Sequence, residues 1–202
     1  MITVEGIDGA GKTTLAGGLA RELRARRGID AHLLREPGGV ALSERVREVL
    51  KDPALRIGAR AEALLYAAAR AELIEQALTP LLLSGSWVVL DRYVDSSLAY
   101  QGAARGLGID SIAEVNRFAT GDLVPDMTLL LEIDPAEARR RTDDRGDGRD
   151  RLESEDDSFF VEIAAAYRHL AEAEPARFRT LDATLDPDRL LELALERLAG
   201  LD

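Results

Sequence analysis

The chain has 202 residues, 26 Lys and Arg against 37 Asp and Glu, a formal net charge of −11, and no cysteine. This composition excludes disulfides and thiolate metal sites. It also argues against a nucleic-acid polymer as partner, because gripping a phosphate backbone needs clustered cations. With 46% hydrophobic residues the chain has material for one core, so a single domain over 1–202 with a small insertion is expected. The apolar stretch near residues 81–90 is broken by Ser84-Gly85-Ser86 and is too short to cross a bilayer. The first strand starts at Ile2, which leaves no room for a targeting segment. No membrane partner and a cytoplasmic location are the expectation.

The first element is a short apolar strand over Ile2–Glu5, and it runs directly into Gly6-Ile7-Asp8-Gly9-Ala10-Gly11-Lys12-Thr13. That is a full GxxxxGK[ST] loop between a strand and a helix, the setting a phosphate-binding loop requires. Glycines let consecutive backbone N–H groups turn toward an anion, and the positive end of the following helix, Lys12–Arg27, faces the same point. Lys12 reaches the β- and γ-phosphates, and the Thr13 hydroxyl can hold Mg²⁺. Lys12 and Lys51 are the only lysines in a chain that otherwise uses arginine, so a compact ammonium has been kept where a planar guanidinium fits poorly. The chain binds a nucleoside triphosphate on this reading.

Gly28 closes the first helix, and a second strand over 31–34 leads to Arg35-Glu36-Pro37-Gly38-Gly39, a turn with a cation beside it. Helices follow over 44–50 and 59–78, and Pro80 should kink or end the second of them. Tyr66 and Arg70 stand four apart on it and so share a face. A third strand over 87–90 ends in Asp91-Arg92-Tyr93, which puts a carboxylate where Mg²⁺ shells are usually supported. The helix start over 96–104 brings Ser96, Ser97, Tyr100 and Gln101 at one-turn spacing. A helix over 111–119, a strand over 127–133 and a helix over 135–141 come next. The charged, Gly-punctuated segment at about 142–152 contains Arg145 and Arg149 interleaved with Asp143, Asp144, Asp147 and Asp150, and reads as a mobile lid. The chain closes with a helix over Asp157–Ala173, a strand over 178–181 and a helix over 187–199. Asp134-Pro135 and Asp186-Pro187 each place a capping side chain before a proline at the first helical position. The two histidines, His32 and His169, read as structural or solvated.

Alternation of strand and helix predicts an α/β fold: a doubly wound sheet of about five parallel strands, with ligands outside the carboxyl ends. Candidate groups follow the first three strands, where that architecture puts function. Small-molecule kinases with other acceptors fit the same pattern. A GTP-dependent switch fits less well, because the sole asparagine, Asn116, is followed by Arg117-Phe118 and no N-K-x-D element exists.

In order and spacing, I-T-V-E-G-I-D-G-A-G-K-T-T, R-E-P-G-G, Y-A-A-A-R, D-R-Y-V-D-S-S-L-A-Y-Q-G and D-R-L-E resemble bacterial thymidylate kinases from Met1 to about residue 190. The resemblance implies transfer of the γ-phosphoryl of ATP to dTMP, with Mg²⁺, in a homodimer. It implies that Gly6 through Thr14 cradle the nucleotide phosphates and that Asp182 and Ala183 lie on the adenine side. Asp8 is implied near the sugar 3′-hydroxyl and the metal, with Thr13 and Asp91. Arg35 and Arg92 would hold the acceptor phosphate, Tyr66 would stack on thymine, and Arg70 would bond its edge. Ser96, Ser97 and Gln101 would line the same pocket, and Tyr100 would crowd the sugar 2′ position. The family also needs a guanidinium on the migrating phosphoryl group. Asp8-Gly9-Ala10-Gly11 holds no basic residue, so Arg145 or Arg149 must supply it.

Overall fold

The structure is a computed structural model that describes residues 1–144, 146 and 150–201, with Arg27 described by its backbone alone. The lid arginines Arg145 and Arg149 therefore lie outside the described residues.

Among the described residues the strands are β1 (Ile2–Glu5), β2 (Ala31–Arg35), β3 (Trp87–Asp91), β4 (Met127–Glu132) and β5 (Phe178–Asp182). They form one parallel sheet in the order β2-β3-β1-β4-β5. Each strand lies within a residue or so of its expected span. Strands buried on both faces read as continuous apolar runs, and these do: Val4, Val88, Val89, Leu90 and Leu129 have no exposed surface. Burial of each such side chain contributes roughly 1.5–3 kcal/mol.

Helices α1 (Lys12–Arg27), α2 (Ala41–Lys51), α3 (Ala59–Leu73), α4 (Thr79–Leu83), α5 (Val94–Ser97), α6 (Ile109–Thr120), α7 (Pro135–Asp144), α8 (Asp157–Ala173) and α9 (Pro187–Arg197) surround the sheet. The expected caps form. Gly28 takes the left-handed conformation and returns its N–H to Leu23, and Asp186 Oδ1 accepts from the Asp188 N–H at 3.0 Å. Asp134 Oδ1 accepts from the Ala136 N–H at 2.9 Å at the start of α7.

Two helices differ from expectation. The helix expected to kink or end at Pro80 does not end there but runs on to Leu83, with a π-helical turn over Ile74–Leu78 between α3 and α4. In that wider turn Thr79 N–H bonds the Ile74 carbonyl, which makes room for a proline one residue on. The helix read over 96–104 is a short α-helical turn, α5, followed by a second π-helix over Leu98–Ala104. In addition, α7 runs through Asp144, so the first part of the expected lid segment is helical.

The strand register positions the site. Val4 of β1 and Arg35 of β2 both pair with Asp91 of β3, so three strand ends open on one point. Two further bonds extend the ladder into the loops: Arg92 N–H to Val4 O at 3.1 Å and Glu36 N–H to Asp91 O at 2.9 Å.

Candidate active site

Beyond those strand ends lies a cavity of about 550 Å³. Its wall includes Asp8, Gly9, Gly11, Lys12, Thr13 and Thr14 from the loop after β1, and Arg35 from β2. Asp91, Arg92, Ser96, Ser97, Tyr100 and Gln101 join from the β3 side, with Tyr66 and Arg70 from α3. Gly6, Ile7 and Ala10 shape the loop from behind rather than lining the cavity. The loop needs glycine at Gly9: its φ is +85°, and a Cβ there would stand 2.1 Å from the Ala138 carbonyl oxygen.

Arg92 is the centre of the arrangement. It is a non-glycine residue at φ 71°, a conformation that costs on the order of 1–2 kcal/mol and persists only where neighbours enforce it. The bond from its N–H to Val4 O, and that from the Tyr93 N–H to Glu5 Oε1 at 2.7 Å, hold the backbone on either side. The guanidinium is thereby aimed back over the loop. Nη2 donates to Asp8 Oδ1 at 2.6 Å and Tyr100 Oη at 3.1 Å; Nη1 donates to Gly6 O at 3.1 Å and Ser96 Oγ at 3.0 Å. Tyr100 Oη also donates to Asp8 Oδ2 at 2.9 Å.

Charge at the site follows this geometry. Burial pushes the Asp8 carboxyl up, but Arg92, Lys12 and the Tyr100 hydroxyl outweigh it and hold Asp8 well below the usual carboxylate range. Burial and the nearby Arg92 bring Lys12 down to about 8, with Asp8 and Asp91 acting the other way. Lys12 Nζ donates to Ile7 O at 2.7 Å. Thr13 Oγ1 donates to Asp91 Oδ2 at 2.6 Å, so the hydroxyl and carboxylate expected at a Mg²⁺ shell are in contact. Asp8 stands apart from that pair, on Arg92 and Tyr100. Oxygen donors of this kind suit Mg²⁺ held chiefly by phosphates and waters.

Arg35 forms a two-point pair with Glu44, at 2.9 and 3.0 Å, on the wall of the cavity. Arg70 is buried, and its donors are used on Glu36, Ser97 Oγ, Asn116 Oδ1 and the Tyr93 carbonyl. Asp182 and Ala183 lie off the cavity but adjoin it: the Ala183 carbonyl accepts from Arg141 Nη1 at 2.9 Å, and Arg141 lines the wall. His32 is half-buried and His169 exposed, both away from the cavity.

Several lining groups were not singled out from sequence: Arg47, Lys51 and Arg141. Arg47 and Lys51 fall on α2, whose approach to the sheet ends is a matter of long-range packing that local pattern does not carry. Glu5, behind the cavity wall, was also missed, hidden as an ordinary last strand residue. It has no exposed surface, and its Oε2 accepts from Ser96 Oγ at 2.6 Å and Tyr167 Oη at 2.8 Å. The polar residue closing an otherwise apolar strand was the available signal.

Comparison with known proteins decides the family. The family model described as thymidylate kinase matches residues 4–193. The chain belongs to the thymidylate kinase family. A thymidylate kinase of Halorhodospira halophila is 46% identical over 202 residues, covering 99% of this chain and 94% of that protein. One from Deinococcus radiodurans is 48% identical over 189 residues, covering 94% and 91%. The crystal structure of thymidylate kinase from Ehrlichia chaffeensis superposes with a TM-score of 0.79 at 29% identity, covering 98% of this chain and 96% of that one. Thymidylate kinases are phosphotransferases, and this chain is an enzyme that phosphorylates dTMP to dTDP with ATP. Among the described residues no helix is long and apolar enough to cross a membrane.

The buried Glu5 gives a stability prediction. Burial first, then Asp95, raises its carboxyl from 4.5 to about 7. In the folded protein it keeps a proton that the unfolded chain has lost, so stability is full below about pH 4.5 and falls as pH rises through about 7. Glu5→Gln cannot titrate, and its urea midpoint should fall less than the parent's between those two pH values. Parallel curves would mean that Glu5 titrates normally.

Proposed function

We propose that the cavity aligns ATP and dTMP end to end for in-line phosphoryl transfer, with Arg92 between the two nucleotide sites. The observation that carries this reading is the guanidinium of Arg92, bonded to Gly6 O and Asp8 on the loop and to Ser96 and Tyr100 on the opposite wall. A cation fixed at that junction touches both reacting phosphates. Phosphoryl transfer through a loose transition state needs alignment and charge stabilisation more than covalent chemistry.

In this mechanism the loop amides and Lys12 hold the donor phosphates at the N-terminus of α1. Thr13, Asp91 and Asp8 would hold Mg²⁺, which supplies charge neutralisation on the donor phosphates when bound. Arg35 and Arg92 hold the acceptor phosphate, and Arg47 and Lys51 on the same wall add positive potential. Tyr66 stacks on the base, while Arg70, Ser97 and Gln101 meet its edge. Tyr100 crowds the sugar 2′ position and anchors Asp8, so a ribose hydroxyl there would compete with the bond from Tyr100 to Asp8. Arg145 or Arg149, from the lid over about 142–152, completes the charge on the migrating group. Asp182 and Ala183 flank the adenine side through Arg141. The acceptor phosphate is itself anionic, so no general base is required. The chain acts as one P-loop kinase domain over 1–202, in the cytoplasm, on small molecules.

The direct test is ADP release from MgATP with dTMP, dUMP, dCMP, dGMP and AMP offered separately. Strong turnover with dTMP, less with dUMP and negligible turnover with the rest is expected; preference for another acceptor would refute the pocket roles.

Arg92→Ala should lower kcat by about 10²–10³-fold while MgATP affinity, read by calorimetry, stays within a fewfold of the parent. Loss of ATP affinity with normal turnover would refute the placement of Arg92 on the transferring phosphates.

The homodimer belongs to the same reading. Phe118 of α6 is 92% exposed and Leu64 of α3 is 59% exposed, on helices packed against each other. Apolar surface of that kind favours burial against a second copy. Sedimentation should give twice the mass of the chain, and Phe118→Asp should shift the species toward monomer; a monomeric parent would exclude the dimer.

A further inference from the structure

Glu62 sits in the first turn of α3 with no exposed surface, yet no loop or strand-end motif points to it. Its Oε1 accepts from Gln101 Nε2 at 2.9 Å and from Arg105 Nε at 3.2 Å. Its Oε2 meets Arg105 Nη2 at 3.2 Å and Arg151 Nη1 at 2.7 Å. Two guanidiniums and the positive end of a helix dipole surround this one buried acid.

A carboxylate only accepts hydrogen bonds. Gln101 must therefore turn its NH₂ toward Glu62, since the flipped amide would press two acceptor oxygens together in a buried place. The other end of the amide, the Oε1 acceptor, is left for the cavity that Gln101 lines.

One turn earlier, Ser97 Oγ accepts from Arg70 Nη1 at 3.0 Å, so its own proton is available to a ligand. Gln101 and Ser97 thus offer an acceptor beside a donor. The imide edge of thymine or uracil, N3–H beside a carbonyl, is the complement of that pair. Cytosine presents the reverse, a bare N3 beside an amino group, and would leave two acceptors and two donors facing each other. Mismatches of this kind discriminate strongly because buried polar groups go unpaired.

We propose that Glu62 is a positioning residue for base specificity, fixing the Gln101 amide so that its carbonyl faces the base and the pocket accepts an imide edge but not cytosine. The inference rests on the dTMP reading above. It separates dTMP and dUMP from dCMP, and leaves the choice between dTMP and dUMP to other contacts.

The test compares the parent with Glu62→Gln. In this variant residue 62 can donate as well as accept, so Gln101 is free to turn over. Arg105 keeps Glu155 at 2.7 Å and Arg151 keeps the Leu50 carbonyl at 2.9 Å, so anchors remain. KM and kcat are measured with dTMP and with dUMP, and dCMP is read as a competing ligand. The preference for dTMP over dCMP should fall by about tenfold or more. It should fall through a higher dTMP KM with kcat much less affected, while the dTMP to dUMP ratio stays within about twofold. A merely structural role would weaken all three ligands alike, and an unchanged preference for dTMP over dCMP overturns the proposal. If Glu62→Gln does not fold, Gln101→Leu decides: it should show the same loss of preference, and a parental preference overturns the proposal. A parent that does not phosphorylate dTMP refutes the earlier reading instead.

Discussion

The left-handed backbone at Arg92 is the constraint on which the site depends. A bulky residue avoids that conformation unless both neighbouring peptide groups are held. Here β1 holds them, through the Val4 carbonyl on one side and the Glu5 carboxyl on the other. The strand that delivers the phosphate loop therefore also sets the bend that delivers the arginine. The loop after β1 and the Arg92 guanidinium are thus both anchored to one strand.

This dependence explains the concentration of buried polar groups at one end of an otherwise apolar sheet. Glu5, Asp8, Lys12, Asp91, Arg92 and Ser96 are all mostly removed from solvent, and each is bonded to another polar group. Burying such groups unpaired would cost several kcal/mol apiece, so the network must form as a unit. At the opposite side of the cavity Arg70 does similar work, spanning Glu36, Ser97, Asn116 and the Tyr93 carbonyl. Burial raises the Glu36 carboxyl against the pull of Arg70. Among the described residues Glu36 Oε1 and Arg151 Nη2 are buried with no hydrogen-bond partner.

Much of this was legible in the sequence. All five strands and the glycine loop follow from short apolar runs and turn residues, signals that are local. The groups after strand ends were legible for the same reason: in a doubly wound sheet, position along the chain fixes position in space. What escaped were contacts made between distant helices. Arg47 and Lys51 reach the cavity from α2, and Glu62 reaches Gln101 across 39 positions of chain. No period or spacing encodes such a meeting. The π-turn before Pro80 also escaped, because a proline ends a helix only when the preceding turn cannot widen.

The second π-helix has a consequence of its own. Over Leu98–Ala104 the Arg105 N–H reaches back five residues to the Tyr100 carbonyl, at 2.8 Å, so this stretch holds one residue more than an α-helix of the same pitch. The surplus residue changes the angular phase of everything after Ser97. Tyr100 is turned toward Asp8 while Gln101 is turned toward Glu62, two neighbours bonded to two different carboxylates. Removing a single residue here would restore regular winding and rotate Arg105 and α6 out of step with both. The stretch thus resists length change far more than its surface loops do, although nothing in it breaks or makes a covalent bond.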